Sequence, residues 1–339
     1  MPADLPPQAS PQTVRCDICP RGCRLQPGER GDCRIRMNEG GAVRTVTYGR
    51  PCSIQVDPIE KKPFFHFLPG TRIFSMATAG CNLHCLNCQN WEISQCNPED
   101  LPAYDLPPEK VPAEAGKQRC PSVAYTYTEP LVCYEYTYDC ARACKDAGLR
   151  NAIVTAGYIN PAPLRRLCRV LDAASLDIKA MSDDFYRDVC GASLAPVLRA
   201  AGIMKAEGLH LELSNLVIPT LNDSDVLLRD LCRWVKAHAG AETPFHFLRF
   251  IPRHRMMHLP PTPAETLRRA REIACAEGLK HVYIGNLDVT QGEDTFCAAC
   301  ARPLVRRARY AIQENRVKNG KCPDCGHAVC GVWEGERCC

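Results

Sequence analysis

Cysteines 81, 85 and 88 stand in the segment GCNLHCLNCQNW, giving the spacing Cys81-x3-Cys85-x2-Cys88. Three thiolates can hold three irons of a 4Fe-4S cluster, and the fourth iron, left without a protein ligand, stays open to a small molecule. The same residues also admit a zinc site completed by His84 or by a distant residue, or simply three buried thiols. Two further sets have four members. Cys297-x2-Cys300 and Cys322-x2-Cys325, with 21 residues between the pairs, read as a zinc ribbon in which each pair closes a tight turn around one tetrahedral ion. Cys16-x2-Cys19-x3-Cys23-x9-Cys33 is compact, and four thiolates serve either zinc or a second iron–sulfur cluster. Zinc is the expectation there.

The 24 cysteines in 339 residues are the anomaly in an otherwise ordinary globular composition. The opening MPADLPPQASPQT is a Pro-rich polar leader without a signal-peptide apolar region, and no stretch approaches the roughly 18 apolar residues of a membrane span. A cytoplasmic location is therefore expected, where so many cysteines mean metal or redox chemistry rather than disulfides. The net charge of +4 is too small to argue for nucleic acid. Between the two terminal pairs lie seven Lys/Arg residues against Glu314 alone, which reads first as a solvated face.

Something must position the three-cysteine loop. Short apolar runs at 73–78, 123–128, 152–155, 175–178, 209–217, 245–250 and 281–284 alternate with amphipathic stretches at 131–147, 163–171, 194–207, 226–238 and 263–277. This is the pattern of βαβ units and a parallel sheet, doubly wound or curled into a barrel, with the cysteine loop at the C-terminal end of its first strand. The Pro-rich connection 95–121 reads as a loop with one short helix. The expected division is a disordered leader (1–13), an N-terminal metal-stapled β module (14–70), a catalytic core (71–290) and a C-terminal zinc-ribbon-like module (291–339).

The C-x3-C-x2-C loop resembles the signature of the radical S-adenosylmethionine (SAM) superfamily. The segments DPIEKKPFFHFLPG (57–70), GCNLHCLNCQNWEISQ (80–95), YTYTEP (125–130), LDIK (176–179), LVIPTLND (216–223), HFLRFIP (246–252) and VYIGN (282–286), with the terminal CxxC pairs, look like those of AmmeMemoRadiSam-system radical SAM enzymes. These are relatives of the pyruvate formate-lyase-activating enzymes, and the resemblance spans nearly the whole chain. It implies an α/β fold, a partial (β/α)6-type barrel, with a 4Fe-4S cluster on Cys81, Cys85 and Cys88, and SAM cleaved to a 5'-deoxyadenosyl radical. It also implies a protein or peptide substrate and flavodoxin or ferredoxin as electron donor. Two positions depart from the pattern: Asn87 stands where an aromatic residue is usual, and Ala156 where Asn is more frequent.

With SAM as the small molecule, Glu129 at the end of YTYTEP is the candidate for its amino group, or else caps the helix that follows. Period-2 alternation puts Asp177 and Lys179 on one face, as partners for a ribose hydroxyl and the SAM carboxylate or as a plain salt bridge. Asn215, His246 and Arg249 are further polar residues on apolar strands, each a candidate SAM contact or a satisfied core group. DPIEKKP reads as a solvated turn or as lining of the substrate entrance. The rival to an enzyme is a zinc-binding module, all its cysteines structural, that recruits a protein or nucleic acid partner.

Overall fold

The computed structural model describes residues 12–287, 292–333 and 336–338. The leader expected over 1–13 thus lies outside the described residues as far as residue 11.

Eight strands form the central sheet in consecutive order: β1 (Ser53–Pro58), β2 (Arg72–Ala77), β3 (Ser122–Tyr125), β4 (Arg150–Thr155), β5 (Ala173–Asp177), β6 (His210–Val217), β7 (Phe245–Arg249) and β8 (Val282–Gly285). β2 to β8 are parallel, and β1 pairs antiparallel with β2. The helices between them are α1 (Val111–Lys117), α2 (Tyr134–Asp146), α3 (Pro161–Cys168), α4 (Leu194–Ala206), α5 (Asp225–His238) and α6 (Ala264–Ala276). Consecutive parallel order with one helix per crossover is a run of βαβ units, the build that the resemblance implies for the core. All seven apolar runs became parallel strands.

The two faces of the sheet bury different things. On β6, Leu211 and Leu213 join the large core shared with the helices, so alternation turns His210, Glu212 and Ser214 to the inner face. The helices meet that core with one stripe each: Ser224 caps α5 by accepting from the Leu227 amide, and Leu228, Leu231, Cys232 and Val235 recur on its buried side. Inside, Ile59, Phe64, Phe67 and Leu68 pack with Ile73, Ala124, Ala152 and Ala173. These partners lie toward the strands' N-terminal ends, so segment 59–70 plugs the end opposite the cysteine loop. Residues 53–70, assigned by sequence to the N-terminal module, therefore belong with the central sheet, because β1 is hydrogen-bonded along β2 from Ser53↔Ala77 to Pro58↔Arg72.

Before the sheet come two small hairpins, Val14–Arg15 with Arg24–Leu25 and Arg36–Glu39 with Ala42–Thr45. After it a three-stranded antiparallel unit, Thr295–Phe296, Pro303–Ala308 and Ala311–Asn315, carries the terminal CxxC pairs. Among the described residues no single helix is long and apolar enough to cross a membrane.

Candidate active site and metal centres

The loop after β2 carries Cys81, Cys85 and Cys88, all half-buried. It is held from two sides. The His84 and Leu86 amides donate to the Cys190 and Val189 carbonyls at 2.8 and 2.9 Å. On the other side Gly80, at φ +94°, lies so close to the N-terminal module that a Cβ would come within 2.6 Å of the Cys33 carbonyl oxygen. Only glycine fits this approach. The thiol of Cys190 lies beside that of Cys85 and, with help from Lys179, pulls it down to about 7 against the effect of burial. His84 does not complete a zinc site: its Nε2 meets Asp32 Oδ2 at 2.8 Å and its Nδ1 meets Gln95 Oε1 at 2.9 Å.

Glu129 follows β3 and is 2% exposed. Its Oε1 accepts from the Thr155 hydroxyl at 2.7 Å and the Leu131 amide at 3.1 Å, its Oε2 from the Ala156 amide at 2.8 Å. The helix that follows begins at Tyr134 with Cys133 as its N-cap and no side-chain cap, so Glu129 closes the turn before that helix and does not cap it. Burial raises its acid to about 7, although those donors and Lys179 pull the other way. Glu129 in turn helps to raise Cys81, and Lys179 helps to lower Cys85, so carboxylate, ammonium and thiols lie near enough to act on one another's charge.

Asp177 and Lys179 do share a face. Lys179 Nζ stands 2.5 Å from Asp177 Oδ2, and Ser214 donates its hydroxyl to Oδ1 of the same carboxylate. Burial works against the Lys179 charge, but Asp177 and Cys85 outweigh it and hold the ammonium protonated. The pair is inward-facing rather than a surface bridge.

Three candidates have other partners. Asn215 follows Ser214, so alternation turns it away from Asp177; its Nδ2 donates to the Ile178 and Lys179 carbonyls at 2.7 and 3.0 Å, fixing the backbone under Lys179. His246 is buried, with Nε2 2.8 Å from Glu212 Oε2 and its ring against Phe65 and Tyr283. Glu212 also takes the Phe65 and His66 amides, which makes His246 part of the tie between sheet and plug. Arg249 Nε donates to the Thr262 carbonyl at 2.9 Å. Val217 and Ile218 belong to the helix-side core.

Sequence reasoning missed a charged cluster. Asp57 and Lys62 are buried, not solvated: Asp57 accepts from Lys61 at 2.8 Å, Lys62 at 2.7 Å and the Tyr127 hydroxyl, while the Lys62 ammonium sits 3.8 Å from the Tyr127 ring centre. Burial lowers Lys62 to about 8 even beside its carboxylate. The reading of DPIEKKP as a solvated turn is therefore wrong. Tyr127 connects this cluster to Glu129 two residues on; the repeated tyrosines of YTYTEP were the available signal.

In the C-terminal unit all four thiols gather, with Sγ atoms within 4.8 Å of one another and the Cys297–Cys325 and Cys300–Cys322 pairs at 3.6 and 3.7 Å. Zinc–sulfur bonds of about 2.3 Å at tetrahedral angles put sulfurs roughly 3.8 Å apart, so this set fits a structural ion. The basic run around it is not one free face: Arg307 is buried against the Phe65 carbonyl, Arg316 bonds Asp324 and Arg306 faces Glu314.

The sequence model of the Radical SAM superfamily matches residues 76–231, which contain the three-cysteine loop, Glu129, Asp177 and Lys179. The chain carries a radical SAM domain over residues 76–231. It is 44% identical to uncharacterized protein MJ0808 of Methanocaldococcus jannaschii, over 93% of this chain and 95% of that one. It is 27% identical to the pyruvate formate-lyase-activating enzyme of Clostridium pasteurianum over 50% of this chain and 73% of the relative. To the pyruvate formate-lyase 1-activating enzyme of Escherichia coli strain K12 it is 23% identical, over 63% and 93%. Radical SAM proteins work with a 4Fe-4S cluster and SAM, and the residues here fit both. Three thiols stand on a strand-end loop whose neighbouring histidine is engaged elsewhere, and the Ser175 hydroxyl on the inner face is buried without a partner.

Proposed function

We propose that this radical SAM protein is an activating-enzyme-like enzyme of the AmmeMemoRadiSam type that takes hydrogen from a protein or peptide. The observation that carries the reading is the convergence of the three-cysteine loop, Glu129 and the Asp177–Lys179 pair at the C-terminal ends of β2, β3 and β5. When bound, the cluster and SAM supply one-electron reductive cleavage of the sulfonium, giving methionine and a 5'-deoxyadenosyl radical that abstracts hydrogen.

The chain's own part is positioning. Cys81, Cys85 and Cys88 would hold a 4Fe-4S cluster through three of its irons, and the fourth would be free for the methionine end of SAM. Glu129, its carboxylate oriented by Thr155 and the Ala156 amide, accepts from the SAM ammonium; Lys179 meets the carboxylate and Asp177 a ribose hydroxyl. Burial of Glu129 keeps water from competing for these contacts. Two activating-enzyme relatives, named for action on pyruvate formate-lyase, support a protein substrate. Flavodoxin or ferredoxin is the proposed electron donor, and the C-terminal ion is proposed to be zinc. An all-structural role for the cysteines is disfavoured, since the Cys81 set is not gathered as the C-terminal set is.

Anaerobic reconstitution with iron and sulfide, reduction, and an assay for 5'-deoxyadenosine test the reading. Slow formation of 5'-deoxyadenosine without substrate is expected. Protein that carries the cluster and binds SAM yet forms none would overturn it.

A further inference from the structure

The N-terminal cysteines do not behave like the C-terminal ones. Cys16, Cys19, Cys23 and Cys33 all line one cavity, which is partly open to solvent. Yet among the described residues no three metal-binding side chains other than the C-terminal set bring their ligand atoms within 4.8 Å of one another. Thiols that share a tetrahedral ion must crowd to roughly 3.8 Å. Ligands of a cubane stand further apart, because the inorganic core lies between them. Like Cys81, Cys85 and Cys88, the four N-terminal thiols therefore line a common site without gathering as the ligands of one ion do.

The wall of the cavity carries two guanidiniums, each with a carboxylate partner, Arg36 with Glu135 and Arg21 with Asp32. Arg36 lines it, is 4% exposed, and has a buried Nε with no hydrogen-bond partner. Its other two nitrogens are taken by Glu135 at 2.6 and 2.9 Å, which fixes the guanidinium in place. Arg21 lines the cavity as well, tied to the Asn82 and Gly191 carbonyls at 2.7 and 2.5 Å. Ile18 and Val132 supply apolar walls.

From this geometry we infer that Cys16, Cys19, Cys23 and Cys33 hold a second 4Fe-4S cluster, not zinc. All four irons have a thiolate, so this cluster has no open site and does not take SAM. It lies directly behind the catalytic loop, because both chain neighbours of Cys81 touch this set: Gly80 abuts the Cys33 carbonyl and Asn82 lines the cavity.

The test uses the full chain with Cys81, Cys85 and Cys88 changed to Ala, which removes the catalytic cluster and leaves the N-terminal set untouched. After anaerobic reconstitution this variant should keep about four irons and four sulfides, and about one zinc from the ribbon. On reduction it should show a cubane EPR signal that SAM does not alter. The complementary variant, C16A with C19A, should lose that signal and keep a SAM-responsive one; should it fail to fold, the wild-type count of about eight irons reads the same point. A triple variant with no iron and about two zincs would overturn the assignment. That result would leave the SAM-cleavage reading standing, since the triple variant contains none of its cluster ligands.

Discussion

Glu129 Oε1 accepts from the Thr155 hydroxyl at 2.7 Å, across from β3 to the end of β4. The contact holds a buried carboxyl, raised to about 7 by burial, at the place proposed for the SAM ammonium. The acid is neutral below that pH and charged above it, and only the charged form pairs with an ammonium. SAM affinity should therefore fall as pH drops through about 7, and this dependence should vanish in Glu129→Gln. Without SAM the sign reverses: a raised carboxyl stabilises the fold at acid pH and ceases to do so as pH rises through 7. Glu129→Ala should weaken SAM binding by about 1.5–3 kcal/mol while the cluster's absorbance stays. Titration of SAM by EPR or calorimetry checks both; unchanged affinity would remove Glu129 from the site.

Asp177 is assigned to a ribose hydroxyl and to Lys179 together. Asp177→Ala should raise the SAM concentration needed for cleavage by the equivalent of about 1–3 kcal/mol. Comparison with S-adenosyl analogues lacking ribose hydroxyls gives the check: the variant should no longer distinguish them. An equal response in variant and parent would leave only the salt bridge.

Lys62 and Asp57 form a buried pair, and removing one partner strands the other. Lys62→Met should cost about 3–5 kcal/mol of stability, with Asp57→Asn in the same chain recovering part of it. Urea unfolding of the reconstituted protein measures this. A loss within about 0.5 kcal/mol would show that the pair is solvated.

Changing Cys297 and Cys300 to Ser should remove the ribbon's ion and loosen the C-terminal unit. Metal analysis should lose about one zinc, and proteolysis should open the segment from 295 onward, while the catalytic cluster stays redox-active. Protection unchanged after zinc loss would mean that Leu304, Val305 and Trp333 hold the unit by packing alone.

The fold was legible because buried parallel strands read as short apolar runs and the helices as amphipathic ones, so the run at 245–250 found its strand at Phe245–Arg249. Asp177 and Lys179 on one face followed from alternation. What sequence could not give was partnership. His246 meets a carboxylate 34 residues upstream, and Asp57 and Lys62 look like a solvated turn until Tyr127 arrives from the segment after β3. Asn215 stands one residue of register from Ser214, which turns its side chain to the face opposite that of Asp177. Spacing within the N-terminal set likewise says nothing of whether four thiols meet at a point or around a cavity.

The seat that Cys33 provides for Gly80 makes the first part of the chain inseparable from the barrel it precedes. A shortened protein beginning at the central sheet would retain every strand of that sheet, the helices between them and Cys81, Cys85 and Cys88, yet its loop would have lost the backbone it rests on. Such a chain would not be a smaller version of this protein, and inactivity in it would say nothing about the residues it kept.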